Sequence, residues 1–508
     1  MKRIFQFLLM PTILLLAAFL RLYKIADYMT FLGDEGRDVL IVYNILHGHL
    51  TLLGPTASVG GFFLGPIYYY FMAPFLWLFN YNPVGPAVMV ALFGVAAVWL
   101  VYKVGAEFLG KEVGIIAAFL YSISPLVIAY SRSSWNPNLM PFFSLLTLYV
   151  LYKALSKNNY WLFILSGILL GILMQLHYLA TFVGVIIVLY VLFTRRDQRA
   201  IKDFLFLLVG FILGWLPFLA FEVRHGFQNI ISIFNFVFHS GDTGGGNKFF
   251  ETITNVFLRL FERLVTNFPP PEQVSMGLRR NIEIWYLLTV ALAITSTYIF
   301  LKSCYAGFKK RVKDLPKLSL LFVWFVVGIS LFGFYKKSIY DYYFGFMFPL
   351  PFLLVGNSIS YFWNKNSMGK TLASIAFIGI VFINVQGIPF RSVPNRQLKQ
   401  VEGISQFVLS KTDGKPFNFA LITGANSDHA YRYFFTLNNQ PPNVIENAVN
   451  DPKRATVTDQ LLVVCETIEC HPLGNSLWEI AGFGRAEIVG QWDVSVVKVF
   501  KLEHYKSR

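Results

Sequence analysis

The sequence predicts an all-α polytopic membrane protein of about eleven transmembrane helices, followed by a small C-terminal α/β domain outside the membrane. Three observations predict it. Of the 508 residues, 55% are hydrophobic and only 14% are charged, far from the average of a soluble domain. The apolar residues fall in runs near the roughly 20 residues that a helix needs to cross hydrocarbon. After residue 390 the runs shorten to strand length and alternate with helical patterns, the signature of an α/β domain.

The spans read as 4–22, 84–103, 113–131, 139–155, 160–177, 179–194, 203–221, 282–301, 318–334, 343–362 and 371–389. The first follows Met1-Lys2-Arg3. It lacks a small-residue cleavage site, and Arg21 and Lys24 come directly after it, so it reads as an uncleaved span. The stretch Phe62–Phe79 is apolar but carries Gly65, Pro66, Pro74, Tyr68, Tyr69, Tyr70 and Trp77. Tyrosine and tryptophan favour the headgroup level. If this stretch lies in the outer interface, Arg195, Arg196, Arg199 and Lys202 fall on the cytoplasmic side. So do Lys309, Lys310, Arg311, Lys313 and Lys317, together with Lys2 and Arg3. That placement satisfies the positive-inside rule throughout. The N-terminus is then cytoplasmic, and loops 23–83 and 222–281 and residues 391–508 are extracytoplasmic. Two domains follow, 1–390 in the plasma membrane and 391–508 outside it. The net charge of +15 is explained by the same clusters. With no basic-aromatic module, nucleic acid is excluded as a partner.

In the C-terminal region, strands are expected at Phe417–Thr423, Gln460–Glu466, Arg485–Val489 and Val494–Leu502. Helices are expected around Asn395–Ser410 and Ser427–Leu437. Cys465 and Cys470 both fall here. A bridge suits an oxidising compartment, but spacing cannot establish the pairing and two free thiols are the plainer reading. No internal repeat is visible, which counts against inverted-repeat transporters.

The densest charge cluster outside the basic segments is Gly33-Asp34-Glu35-Gly36-Arg37-Asp38. Charges at a bilayer surface usually mark a working site. A carboxylate in a low-dielectric site can have its pKa raised toward general-base duty, and the arginine suits an anionic substrate. The plainer reading is a helix start, where acidic residues are favoured. No Gly-Lys-Ser/Thr follows the later glycines, so this is not a nucleotide loop. In the second outer loop, Arg132 offers a planar fork for phosphate, and Asn136 and Asn138 could orient a hydroxyl; a capped turn explains the same residues. Lys336 and Lys337 sit outside against the positive-inside rule, beside Tyr340. A phosphate-bearing lipid head or simple snorkelling accounts for them. His177, Tyr178, Arg224 and the neighbouring Glu222 and His225 lie at outer span ends as possible substrate contacts or interfacial anchors. His47 and His49 lack a third metal ligand.

A first span, an outer loop with Asp-Glu, an aromatic outer helix and a short arginine-bearing second loop resemble the GT-C glycosyltransferases. The similarity is to the family 39-like enzymes related to protein O-mannosyltransferases and aminoarabinose transferases. It covers roughly residues 1–390 and is sharpest at Gly33-Asp34-Glu35 and at Tyr130-Ser131-Arg132 through Asn138. The resemblance implies an inverting transfer from a polyprenyl-phosphate-linked sugar to a glycan, lipid or protein acceptor on the outer face. It implies Asp34 as general base with Glu35 beside it. Arg37, Arg132, Lys336 and Lys337 would hold the donor phosphate. Where family members often carry an acidic residue in the second outer loop, this chain has Asn136. No metal or other cofactor is expected on that ground.

Two rivals stay open. A lipid-linked-sugar flippase needs charged or broken helices at mid-membrane, whereas here the charges gather at the outer mouth. A non-catalytic protein that binds lipid-linked sugar would leave Asp34 dispensable.

Overall fold

Five helices among the described residues are long and apolar enough to cross a membrane: Val84–Phe108, Asn136–Lys157, Asn281–Lys309, Leu315–Phe334 and Ser367–Gln386. Two further pairs qualify if each bent pair is one span, giving seven. Arg199–Gly214 meets Leu216–Arg224 at 72°, and Asp341–Met347 meets Pro349–Trp363 at 63°. Proline explains both bends. Pro217 and Pro349 lie in the first turn of the second helix, and a proline ring there cannot continue the preceding hydrogen-bond ladder.

The expectation of eleven spans differs from this count at identifiable places. Tyr160–Leu176 and Ala180–Thr194 are apolar but shorter than 18 residues, and the first helix, Lys2–Leu22, has 21 residues, of which Leu9–Leu22 is counted as an apolar helix. The expected span 113–131 is divided into Lys111–Ile123 and Pro125–Tyr130, again at a proline. The aromatic stretch forms a helix of 12 residues, Ile67–Leu78. It rises about 18 Å, well short of the roughly 30 Å of a hydrocarbon core.

In this computed structural model the described residues are 2–195, 197–270, 273, 279–310 and 314–506, with 2–8, 279, 280 and 310 described by backbone alone. Arg196, Arg311 and Lys313, counted in the charge placement, lie outside the described residues. The chain forms two compact units: residues 1–23, 50–71 and 86–393, and residues 24–49, 72–85 and 394–508. Loop residues 24–49 and 72–85 therefore group with the C-terminal region.

The first unit is helical. A close backbone contact joins Tyr160–Leu176 to Arg199–Gly214 through two pairs of glycines spaced four apart. A Cβ on Gly167 would stand 2.1 Å from Leu207 O, and one on Gly210 would stand 2.0 Å from Ile164 O. Gly171 and Gly214 repeat the contact one turn on, with Gly214 facing Ile168 O at 2.2 Å. Small residues at this spacing let helix backbones approach closely where apolar burial gives little drive.

The second unit holds a four-stranded sheet in the order β1-β2-β4-β3. The strands are β1 Asn418–Ile422, β2 Gln460–Cys465, β3 Ala486–Val494 and β4 Val497–His504. β1 runs parallel to β2, while β4 runs antiparallel to β2 and to β3. All six residues of β2 are buried, as a central strand requires. β3 lies at the edge and is largely exposed. Ala420, Leu461, Val463, Phe500 and Leu502 form the core with Ile480 and Phe483. Helices Gln397–Ser410 and His429–Leu437 flank the sheet, close to the expected positions. Cys465 and Cys470 are joined in a disulfide.

Candidate functional site

The Asp-Glu segment starts a helix, Gly33–Leu46, in the second unit. Asp34, Glu35, Arg37 and Asp38 occupy its first two turns and diverge in environment. Asp34 keeps its side chain 56% exposed and pairs with Arg37 at 2.9 Å. Arg37 also donates through Nε (3.0 Å) and Nη2 (2.8 Å) to Asp38, which is fully buried. One guanidinium thus fixes two carboxylates of the same helix face. Glu35 turns inward. Its Oε2 accepts from the Leu32 N–H at 3.0 Å, closing the first turn as a residue at this position often does. Burial pushes the Glu35 carboxyl up to about 7, against the lowering effect of the backbone N–H donors. Of the two acids, Asp34 is the one open to solvent.

Glycines permit this placement. A Cβ on Gly33 would stand 2.1 Å from Ser427 Oγ, and one on Gly36 would stand 2.3 Å from Ala430 N. The Gly33 N–H donates to Asn426 Oδ1 at 2.8 Å. His429 follows at the start of its helix, its Nδ1 2.9 Å from Ser427 Oγ, and burial lowers its pKa.

The first unit contains a polar cavity of about 630 Å³ lined by Lys248, Arg259, Lys336 and Lys337, with Glu251 as the acidic lining residue. Its wall is pinned by main-chain bonds from Gly244 N to Phe334 O (2.8 Å) and from Lys336 N to Asp242 O (2.9 Å). Lys337 pairs with Asp242 at 3.2 Å. Arg259 and Arg263 both hold Asp341, at 2.5 and 2.8 Å. The excess of cations suits an anionic group.

Other expected residues have different occupations. Arg132 is buried and donates to the carbonyls of Leu20, Arg21 and Tyr23 at 2.8, 3.1 and 2.8 Å, and it stacks over Phe390. It closes the end of the first helix. Asn136 Nδ2 donates to Leu176 O at 2.6 Å, and Asn138 Nδ2 to Ser133 O at 2.9 Å; both shape the loop. His177 is buried and accepts from the Leu179 N–H at 3.2 Å. Tyr178 stacks on it with centroids 4.5 Å apart. Arg224 is exposed in the last turn of Leu216–Arg224. Tyr340 is 55% exposed and stacks on Tyr342. Among the described residues, no three His, Cys, Asp or Glu side chains converge as a metal site.

The profile of the dolichyl-phosphate-mannose-protein mannosyltransferase family matches residues 64–221. A comparison with the curated proteins finds no match. Among solved structures, ArnT from Cupriavidus metallidurans bound to undecaprenyl phosphate is similar at TM-score 0.61 and 11% identity, covering 97% of each chain. The apo form of the same protein is similar at TM-score 0.60 and 12% identity, over 99% of this chain and 98% of that one. The oligosaccharyltransferase AglB from Archaeoglobus fulgidus, in complex with an inhibitory peptide and a dolichol-phosphate, matches at TM-score 0.54 and 14% identity. The match covers 91% of this chain and 69% of that one.

This chain has the GT-C glycosyltransferase fold. The sequence did not single out several residues that shape the candidate site. Lys248 and Arg259 lie in segments without an unusual motif. Asn426 and Glu466 are about 390 and 430 residues from the Asp34 segment they support, and only folding brings them to it. Gly36 was visible in the segment, but its partner Ala430 was not.

Proposed function

We propose that this protein is a membrane glycosyltransferase that moves a sugar from a polyprenyl-phosphate carrier to an acceptor hydroxyl on the outer face of the plasma membrane. The reading is supported by the GT-C fold and the family match over 64–221. Solved relatives of that fold are bound to undecaprenyl phosphate or dolichol-phosphate. The single observation that carries the chemistry is the exposed Asp34 carboxylate, held by Arg37 at a helix start.

In this reaction the acceptor oxygen attacks the anomeric carbon opposite the phosphate. The bond from that carbon to the phosphate oxygen breaks, and the carrier leaves as its phosphate. Asp34 takes the acceptor proton, Glu35 holds the helix start, and Arg37 keeps Asp34 aimed. Lys336 and Lys337, with Lys248 and Arg259, are assigned to the donor phosphate and the charge that grows on it. No metal is invoked. Eleven crossings, a cytoplasmic N-terminus and an extracytoplasmic C-terminal domain complete the topology. The short Ile67–Leu78 helix lies in the outer interface.

The test is sugar transfer by purified protein from radiolabelled polyprenyl-phosphate sugars to membrane extract. Asp34→Asn keeps size and hydrogen bonding but cannot take the proton. It is expected to lower the rate about 10²–10⁴-fold with an unchanged melt and donor affinity. An Asp34→Asn protein that transfers normally would refute the assignment and favour the flippase or the binding protein.

A further inference from the structure

The start of the Gly33–Leu46 helix lacks a conventional cap. The residue before it is Leu32, whose side chain has no acceptor for the first free N–H groups. Asn426 supplies that acceptor from far along the chain. Its Oδ1 accepts from Gly33 N at 2.8 Å and from Ser427 N at 2.9 Å. Its Nδ2 donates to both oxygens of Glu466 at 3.1 Å. Glu466 thereby fixes which way the amide points. A flipped amide would set Oδ1 against a carboxylate and aim its donors at two N–H groups.

Glu466 is itself held on every side. Its carboxylate also accepts from Thr423 Oγ1 and Tyr431 Oη, each at 2.8 Å. Its N–H donates to Ile422 O at 2.9 Å. It directly follows Cys465, the end of β2, in the loop closed by the bridge to Cys470. The missing Cβ atoms of Gly33 and Gly36 let the helix start come close enough for this contact.

We propose that Asn426 and Glu466 are positioning residues for Asp34: the C-terminal α/β fold supplies a rigid template that sets where the reacting carboxylate points. This rests on the assignment of Asp34 as base. Asp34 is the next residue after Gly33, one Cα step of about 3.8 Å away. A displacement of the Gly33 amide therefore carries Asp34 with it, and a misplacement of about 1 Å can cost on the order of 10²-fold in rate.

The experiment uses the full chain in lipid nanodiscs. Asn426→Ala and Glu466→Gln are made alone and in the Asp34→Asn background. Three quantities are read: kcat and donor KM with radiolabelled polyprenyl-phosphate sugars, amide exchange over residues 30–40, and the thermal melt. Asn426→Ala is expected to lower kcat about tenfold to a hundredfold while donor KM moves by less than about twofold, and exchange at residues 33–36 quickens. Glu466→Gln should shift both readouts the same way but less, since glutamine keeps one acceptor oxygen. Added to Asp34→Asn, Asn426→Ala should cost nothing more, because it acts through the base already lost. Normal kcat and unchanged exchange in Asn426→Ala would overturn the inference, as would costs that multiply in the double variant. If Asn426→Ala fails to fold, Glu466→Gln decides by the same readouts. An active Asp34→Asn protein would overturn the base assignment instead, while the exchange data would still judge the template.

Discussion

The Arg132 guanidinium donates to the main-chain carbonyl of Leu20 at 2.8 Å. The same nitrogen reaches Arg21 O, and its neighbour reaches Tyr23 O. Carbonyls in a last turn have no partner within the helix, so a buried arginine completes the first helix of the chain. Arg132→Ala should therefore destabilise the protein by about 3 kcal/mol, the scale of a charged hydrogen bond lost from a buried site. Arg132→Lys should recover part of it, because one ammonium cannot reproduce the planar fork. Thermal melts in detergent report both. An unchanged melt with weakened donor binding would assign Arg132 to the donor.

The glycine contact between Tyr160–Leu176 and Arg199–Gly214 gives a second prediction. Gly210→Val has no room, since Ile164 O lies 2.0 Å from the new Cβ, and at least about 3 kcal/mol should be lost. Gly184→Ala is the control. Its nearest atom is 3.9 Å away, and alanine in a helix interior should be neutral or gain up to about 1 kcal/mol. Equal melts for the two variants would remove the glycine contact as a stabilising feature.

Glu35 predicts a pH dependence. Its folded pKa, about 7, lies above the ordinary 4.5. The folded protein therefore holds a proton that the unfolded chain has released between those values. The stability from this group is fully present below about pH 4.5 and is lost as pH rises through 7. Glu35→Gln keeps the acceptor for the Leu32 N–H and cannot ionise. It should match the wild type near pH 4.5 and become more stable by about 3 kcal/mol above pH 7. Parallel melt-versus-pH curves would show that Glu35 does not titrate in this range.

The lysine-lined cavity predicts a charge effect on donor binding. Lys337 is partly neutralised by Asp242 at 3.2 Å, so Lys336→Ala should raise donor KM more than Lys337→Ala. The double variant should raise it about tenfold to a hundredfold, with a weaker dependence on salt than the wild type. Steady-state kinetics at two ionic strengths checks this. Unchanged KM would take the cavity out of donor recognition.

Much of this architecture follows from local pattern. Apolar runs marked the membrane helices, because a helix in lipid must satisfy its own backbone and be apolar along its length. The alternating short runs after residue 390 placed β1, β2 and β4 within about three residues, as with Phe417–Thr423 for Asn418–Ile422, whereas β3 runs on to Val494, past the expected Val489. The charge cluster at Asp34 stood out because charge is rare in this chain. The breaks beside Pro125, Pro217 and Pro349 were not anticipated inside the expected spans 113–131, 203–221 and 343–362.

The tertiary structure alone decided what the charged residues do. Arg132 read as a phosphate fork, and its neighbour in space proved to be the end of the first helix. Asp34 read as the base with Glu35 beside it, and it took packing to leave Asp34 exposed and to bury Glu35, which raised the Glu35 pKa. Gly33 and Gly36 carried no structural reading in the sequence, and they are small because Ser427 and Ala430 press against them. The physical reason is common to all three. Periodicity reports which way a side chain faces within its own element, while burial, capping and pKa depend on partners hundreds of residues away that only the fold brings near.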